Sequence, residues 1–385
     1  MIKRKVLVIG AGISGRAAIT YLEEKGFAVT VVDKKSSAAV LADTTIFSPF
    51  DFDFVVVSPG IPKSHPLYKT AIEKGIEVVG EMELALRELP NRMIGITGSN
   101  GKSTTVSTVA HILQECGYKA RAVGNIGIPL LSLVGEVDPD EILVLEISSF
   151  QLETMYARKL EIGAILNITP NHLDWHSDME DYRRAKYRIR ELVKEGGAFY
   201  DGLLDNRAYV RKITVHFGIR EELFEKALHS FKGLPHRMEY VCEIEGISCY
   251  NDSKATTPEA VSYAVERLEK NIILIAGGKN KGCSFSSWSD SFRGKVKALI
   301  LFGASKDVIE REVKIEAPVL VVNSLEEAVE KGLQCASIGD NLLLSPGCAS
   351  YDMFENFEKR GEAYKQLLCE RKHDKKRYDH HCSSD

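Results

Sequence analysis

Ile94-Gly95-Ile96-Thr97-Gly98-Ser99-Asn100-Gly101-Lys102-Ser103-Thr104 is an apolar strand end that turns through small residues into a helix. Such a turn reads as a phosphate cradle. Gly98 and Gly101 let backbone N–H groups face an anion across Ser99 and Asn100, Lys102 reaches the outer phosphates, and the Ser103 hydroxyl can hold Mg²⁺ against them. Thr104 and Thr105 stand just behind the loop. The general pattern asks for Gly at the place of Ile96, so the reading leans on the strand before the loop and the helix after it. The bland alternative is a glycine-rich turn with a chance Gly-Lys-Ser.

Composition frames the rest. A chain of 385 residues favours two or three domains, because single cores stop growing well below that size. Hydrophobic content of 44%, 27% charged residues and a net charge of -4 describe an ordinary globular protein and argue against general nucleic-acid or anionic-membrane binding. Eight cysteines without a C-x-x-C pair fit reduced thiols better than a disulfide framework or a zinc site. Met1-Ile2-Lys3-Arg4-Lys5 followed by apolar residues mimics a signal peptide, but Gly10-Ala11-Gly12 interrupts the run, and no later run reaches the length of a membrane span. A cytoplasmic location is expected.

From the N-terminus, the apolar strand Val6 to Ile9 leads into Gly10-Ala11-Gly12-Ile13-Ser14-Gly15 and a helix, and a second strand ends at Asp33. This is a dinucleotide fingerprint, which by itself favours a nicotinamide or flavin protein. Further strands, Phe54 to Val57 and Glu77 to Val79, continue a βαβ rhythm and predict a parallel sheet with its ligand at the strands' carboxyl ends. Pro90-Asn91 is a plausible linker into the cradle domain. There the apolar run Ile142 to Leu145 ends in Glu146, the expected place for a carboxylate facing Mg²⁺. A similar run, Ala164 to Ile168, precedes His172 and His176; a lone His in such a place is commonly a structural hydrogen-bonder, and no third ligand supports closed zinc. Tyr182 to Arg190 is a basic helical segment, by default a solvated face. A third region from Gly233 repeats the pattern of apolar strands followed by polar loops, among them Asn251-Asp252-Ser253-Lys254-Ala255-Thr256 and Ser345-Pro346-Gly347-Cys348-Ala349-Ser350.

Together, the cradle, Glu146-Ile147-Ser148-Ser149-Phe150-Gln151-Leu152-Glu153, Gly233-Leu234-Pro235-His236-Arg237 and the two loops just quoted resemble the Mur ligases along almost the whole chain. The resemblance implies an α/β fold in three domains: a Rossmann-like N-terminal domain (residues 1–90), a central P-loop ATPase-like parallel-sheet domain (91–232) and a C-terminal Rossmann-like α/β domain (233–371), with 372–385 as a disordered tail. It implies an ATP-dependent amide ligase of cell-wall precursor synthesis that joins D-glutamate to UDP-N-acetylmuramoyl-L-alanine and works as a monomer, with no nucleic-acid partner and no membrane span. The fingerprint would then hold UDP, with Ile13, Ser14, Asp33 and Lys34 as uridine contacts.

The family uses the Ser103 and Glu146 positions for one Mg²⁺ and the His172 position for a second, with a carbamylated lysine at the position of Lys186. Asn125 matches a residue near the reacting carboxylate. Arg237 and Asp252 match nucleotide contacts, while Lys254, Thr256, Lys281, Ser350, Tyr351 and Phe357 match positions around the incoming glutamate and the transferring phosphate. Two departures stand out: the His-Asn-x-x-Asn helix that holds adenine in the family is absent, and Tyr351 stands where relatives often carry Leu. Three other readings compete: a Rossmann oxidoreductase, which leaves Lys102, Ser103 and Glu146 without a purpose; a folylpolyglutamate-synthetase-like ligase, which would not need an N-terminal nucleotide domain; and a shortened non-catalytic homologue that only holds the UDP-muramoyl substrate.

Overall fold

The computed structural model describes residues 4–34, 41–42, 51–172, 175–268, 270–280 and 282–382. The chain forms two compact units, Met1–Lys232 and Gly233–Asp385.

The first unit holds two parallel sheets. In one, β1 (Lys5–Ile9), β2 (Ala28–Asp33), β3 (Leu41–Ala42), β4 (Phe54–Val57) and β5 (Val78–Val79) lie in the order β3-β2-β1-β4-β5, interleaved with α1 (Ile13–Glu24), α2 (Pro66–Glu73) and α3 (Glu81–Glu88). Strands buried on both faces need apolar residues at every position, and β1 divides them by alternation. Leu7 and Ile9 pack with Leu67, Tyr68 and Ala71 of α2, whereas Val6 and Val8 pack with Ala18 and Leu22 of α1.

That second face is shared. Its cluster continues into Met93, Leu143, Leu145, Leu160 and Ile189 of the next sheet, so the residues before and after position 90 make one unit. The expected linker is pinned as well: Asn91 is buried and donates from Nδ2 to the carbonyls of Asp138 (2.8 Å) and Glu141 (2.9 Å).

The second sheet contains β6 (Met93–Thr97), β7 (Ala120–Gly124), β8 (Ile142–Glu146), β9 (Leu160–Ile165) and β10 (Val193–Asp201) in the order β10-β9-β6-β8-β7. Its helices are α4 (Lys102–Glu115), the short α5 (Ser149–Leu152), α6 (Met179–Tyr187), α7 (Asn206–His216) and α8 (Glu221–Ser230). With β6 central, its cradle opens between the ends of β8 and β9, the switch-point position where open parallel sheets bind ligands.

In the second unit β11 (Glu239–Ile244), β12 (Ile247–Asn251), β13 (Ile272–Gly277), β14 (Val296–Phe302), β15 (Val319–Val321) and β16 (Asn341–Leu344) lie in the order β11-β12-β16-β13-β14-β15. Its helices are α9 (Pro258–Leu268), α10 (Trp288–Ser291), α11 (Lys306–Glu312), α12 (Leu325–Cys335) and α13 (Phe357–Cys382). Among the described strands of this sheet only β11 runs antiparallel, through a hairpin whose turn residues Glu245 and Gly246 both have positive φ (51° and 76°).

α13 continues past Lys372 to Cys382, because the stretch after Gly361 contains neither Gly nor Pro and is rich in Lys, Arg, Glu and Gln, which favour helix.

Candidate active site

The cradle is built by backbone that only glycine accepts easily. Gly98 and Gly101 have φ of 153° and 80°, and Gly101 caps the start of α4 in the left-handed region. A Cβ at Gly101 would also overlap the Asn206 side-chain amide at the start of α7. The loop is tied to the end of β9: Ser99 N–H donates to Asn167 O (2.9 Å), Asn100 N–H to Asn167 Oδ1 (2.9 Å), and Ser99 Oγ to Thr169 O (3.0 Å). Gly101→Ala is therefore expected to cost about 1–3 kcal/mol of stability for the conformation alone, more with the overlap, and to lose nucleotide binding. Thermal unfolding and ATP titration of that variant check this, and an unchanged melting temperature would show that the loop tolerates a side chain.

Lys102 arches over the loop, its Nζ donating to Gly98 O (2.7 Å) and Ser99 O (2.9 Å). Behind it the buried Ser103 hydroxyl donates to Glu146 Oε2, and Asn125 Nδ2 donates to Glu146 Oε1 (2.8 Å). Serine, asparagine and carboxylate thus meet at the carboxyl end of β8 beside the loop. Thr105 is buried and bonds back to Gly101 O (2.9 Å), a local helix brace, while Thr104 is exposed.

Lys186 departs furthest from its bland reading. It is 1% exposed, its Nζ donates to Gly98 O (2.9 Å) and lies 4.6 Å over the Tyr182 ring. Burial pushes its pKa down to about 7, the Lys102 charge adds to the fall, and the Glu146 carboxylate opposes it. Tyr182 itself is buried and hydrogen-bonded to Ser99 Oγ (3.0 Å), which couples α6 to the cradle. The spacing of Tyr182 and Lys186, one helical turn apart on one face, is the sequence signal that the run of basic residues hides.

His172 is exposed, with φ of 55°, and its ring meets the edges of Phe150 (4.9 Å) and Tyr182 (6.4 Å between centroids). The structural hydrogen-bonder is His176 instead: it is buried between Ser149 Oγ (3.0 Å from Nε2) and Asp181 Oδ2 (3.2 Å from Nδ1), and burial lowers its pKa. Glu153, His176 and Asp181 place ligand-type atoms within 4.8 Å of one another, but Glu153 already pairs with Lys63 (2.7 Å).

The fingerprint opens into a cavity of about 540 Å³ lined by Ile13, Ser14, Asp33 and Lys34 together with Asn125 and Gln151 of the cradle domain. Gly15 is obligatory there, since a Cβ would overlap Gly10 O, and Asp33 Oδ2 accepts Ala11 N–H (2.7 Å) to close the turn.

In the second unit Lys254 Nζ lies 3.8 Å over the Phe357 ring, Ser350 is buried, Thr256 and Arg237 are half-buried, and Tyr351 is 68% exposed. The Asp252 carboxylate faces inward, accepting Ser345 Oγ (2.8 Å) and Met238 N–H (3.1 Å). Burial pushes its pKa up to about 7 against those two hydrogen bonds and the charges of Arg237 and Arg267. Lys281 lies outside the described residues. Where the adenine segment was missed in the sequence, α7 joins α8 through Phe217-Gly218-Ile219-Arg220, with Phe217 and Ile219 buried in the cluster that carries α4.

Comparison with known proteins adds three domain matches: Mur ligase MurD-like N-terminal domain over residues 4–80, Mur ligase middle domain over 96–231, and Mur ligase glutamate ligase domain over 236–348. A UDP-N-acetylmuramoylalanine--D-glutamate ligase from Protochlamydia amoebophila is 35% identical over 433 residues, covering 95% of this chain and 98% of that protein. One from Aquifex aeolicus is 36% identical over 412 residues, with 94% and 98% covered. Both alignments are longer than the chain, so these relatives carry segments that it lacks. Among solved structures, the MurF ligase from Thermotoga maritima in complex with ADP superposes with a TM-score of 0.60 at 16% identity, over 96% of each chain. The UDP-N-acetylmuramate-alanine ligase MurC from the same organism gives 0.57 at 16%, over 96% of this chain and 100% of that one.

Proposed function

The chain belongs to the Mur ligase family, and from that premise we propose that it is the ATP-dependent, ADP-forming amide ligase that adds D-glutamate to UDP-N-acetylmuramoyl-L-alanine in peptidoglycan precursor synthesis. The observation that carries the reading is Asn125. Its side chain bonds the Glu146 carboxylate beside the cradle and also lines the fingerprint cavity, so one residue links the phosphoryl site to the place where a UDP-linked substrate would lie. An oxidoreductase has no use for that link.

In the reaction, a carboxylate oxygen of the L-alanine attacks the γ-phosphorus of ATP, the bond to ADP breaks, and an acyl phosphate results. The amine of D-glutamate then attacks the acyl carbon, phosphate leaves, and the nitrogen loses a proton. Lys102 balances charge on the outer phosphates, Asn125 and Ser103 orient the Glu146 carboxylate, and the glycine loop presents its N–H groups to the phosphates. The hydroxyl of Ser103 and the oxygens of Glu146 are the hard donors that Mg²⁺ takes; His172 and a carbamylated Lys186 are the proposed holders of a second ion, and Arg237 with Asp252 the proposed nucleotide contacts of the second unit. Bound Mg²⁺ supplies neutralisation of phosphate charge.

The enzyme is proposed to act as a cytoplasmic monomer with domains at 1–90, 91–232 and 233–371. Among the described residues no helix is long and apolar enough to cross a membrane.

Phosphate release that requires ATP, UDP-N-acetylmuramoyl-L-alanine and D-glutamate together is the test. One observation favours a second reading: the lost adenine segment is compatible with a homologue that holds the UDP-muramoyl substrate without turnover, and tight substrate binding without phosphate release would select it. For the pocket, Lys254, Ser350 and Lys281 are proposed to meet the glutamate carboxylates. D-alanine in place of D-glutamate is then expected to lower kcat/KM by at least ~10³-fold, and comparable efficiency with the two amino acids would remove the pocket assignment.

A further inference from the structure

The first turn of α13 contains a buried guanidinium that the mechanism above leaves unused. Arg360 is 1% exposed, and its hydrogen-bond acceptors are neutral: Nε donates to Ser253 Oγ (3.0 Å), Nη2 to Ser253 O (2.8 Å) and Nη1 to Cys348 O (3.1 Å). Among the described residues no carboxylate forms an ion pair with it; Asp352, whose charge supports it through space, is engaged by Ala304 N–H (2.8 Å). Burial lowers its pKa only to about 10, so the positive charge persists at neutral pH. Burying an unpaired cation is expensive, and a well-packed apolar side chain of similar volume often serves stability as well or better. A fold that keeps such a cation for packing alone is therefore a poor explanation.

What Arg360 holds suggests the better one. Ser253 and Cys348 belong to the loops that leave the adjacent parallel strands β12 and β16, paired at Asn251 and Leu344. Ser253 lies directly before Lys254, and Cys348 two places before Ser350. The Ser253 hydroxyl passes the bond on to Phe357 O (2.8 Å), and Lys254 Nζ rests on the Phe357 ring. One side chain thus spans both loops and the start of α13, and it brings a positive charge with which no carboxylate among the described residues pairs directly. We infer that Arg360 is the positioning residue of the amino-acid pocket, setting Lys254 against Ser350 and biasing the pocket toward a dianionic amino acid. This rests on the D-glutamate reading above.

The experiment compares the wild-type enzyme with Arg360→Met, which keeps most of the volume without charge, and Arg360→Lys, which keeps the charge without the fork. Absence of D-glutamate-dependent phosphate release in the wild type would overturn the functional reading and this inference with it. With an active wild type, Arg360→Met is expected to raise the KM for D-glutamate at least ~30-fold while the KM values for ATP and the UDP-linked substrate stay within about threefold, and Arg360→Lys to fall between. If Arg360→Met does not fold, by thermal unfolding, Arg360→Lys decides on the same split. Equal changes in all three KM values, or a lower kcat with an unchanged KM for D-glutamate, would show that Arg360 only packs the unit and would overturn the inference alone.

Discussion

Lys102→Ala should lower turnover by at least ~10³-fold while leaving the affinity for UDP-N-acetylmuramoyl-L-alanine within about twofold. The large effect follows from what the ammonium does. Phosphoryl transfer is carried by positioning and charge neutralisation, and Lys102 is the loop's own cation, held over the carbonyls of Gly98 and Ser99 where the outer phosphates are proposed to lie. The small effect follows from the cavity at the fingerprint, whose lining does not include Lys102. A second consequence separates this variant from simple loss of a phosphate ligand. The Lys102 charge is one of the reasons the Lys186 amine is held near neutrality, so removing it should shift the titration of Lys186 upward. Turnover and substrate affinity measured on one preparation check the prediction, and turnover near the wild-type rate would remove the cradle from the mechanism.

The parts legible in the sequence are those whose physics is local. β1, β6 and β8 are buried on both faces and so carry unbroken apolar runs, and the turn glycines of the cradle and the fingerprint announce their backbone. Ser103 and Glu146 were readable as a pair because a strand end and a helix start converge in this topology wherever the cradle motif occurs. β11 carries only a weak sequence signal, because Glu239, Tyr240 and Glu243 dilute its apolar pattern and the register shifts between Tyr240 and Cys242. Arg360 and the inward-facing Asp252 were invisible as to burial, since a charged residue in a polar stretch gives no local sign that distant loops cover it. Local pattern specifies elements; which charged residue goes inside is a tertiary fact.

Lys186 is the sharpest instance, and it carries the other large effect. Lys186→Ala is expected to be nearly inactive, by ~10³-fold or more, and added short-chain carboxylates should restore part of the activity. A solvent-exposed lysine, with a pKa of about 10.4, is almost wholly cationic at pH 7–8 and cannot capture CO₂, whereas an amine whose pKa is lowered to about 7 is roughly half neutral at pH 7 and mostly neutral at pH 8. The neutral amine adds to CO₂, a proton leaves, and the carbamate anion that forms offers the oxygens a hard cation prefers. Below pH 7 the amine regains its proton, so activity should fall with acidification and recover in part when CO₂ is raised. The alanine variant lacks the amine altogether, so CO₂ should not rescue it, whereas acetate or formate, which bring their own oxygens, should. Full activity in Lys186→Ala, or in wild-type enzyme stripped of CO₂ and bicarbonate, would remove the carbamate from the mechanism and leave Lys186 a buried amine that braces Gly98.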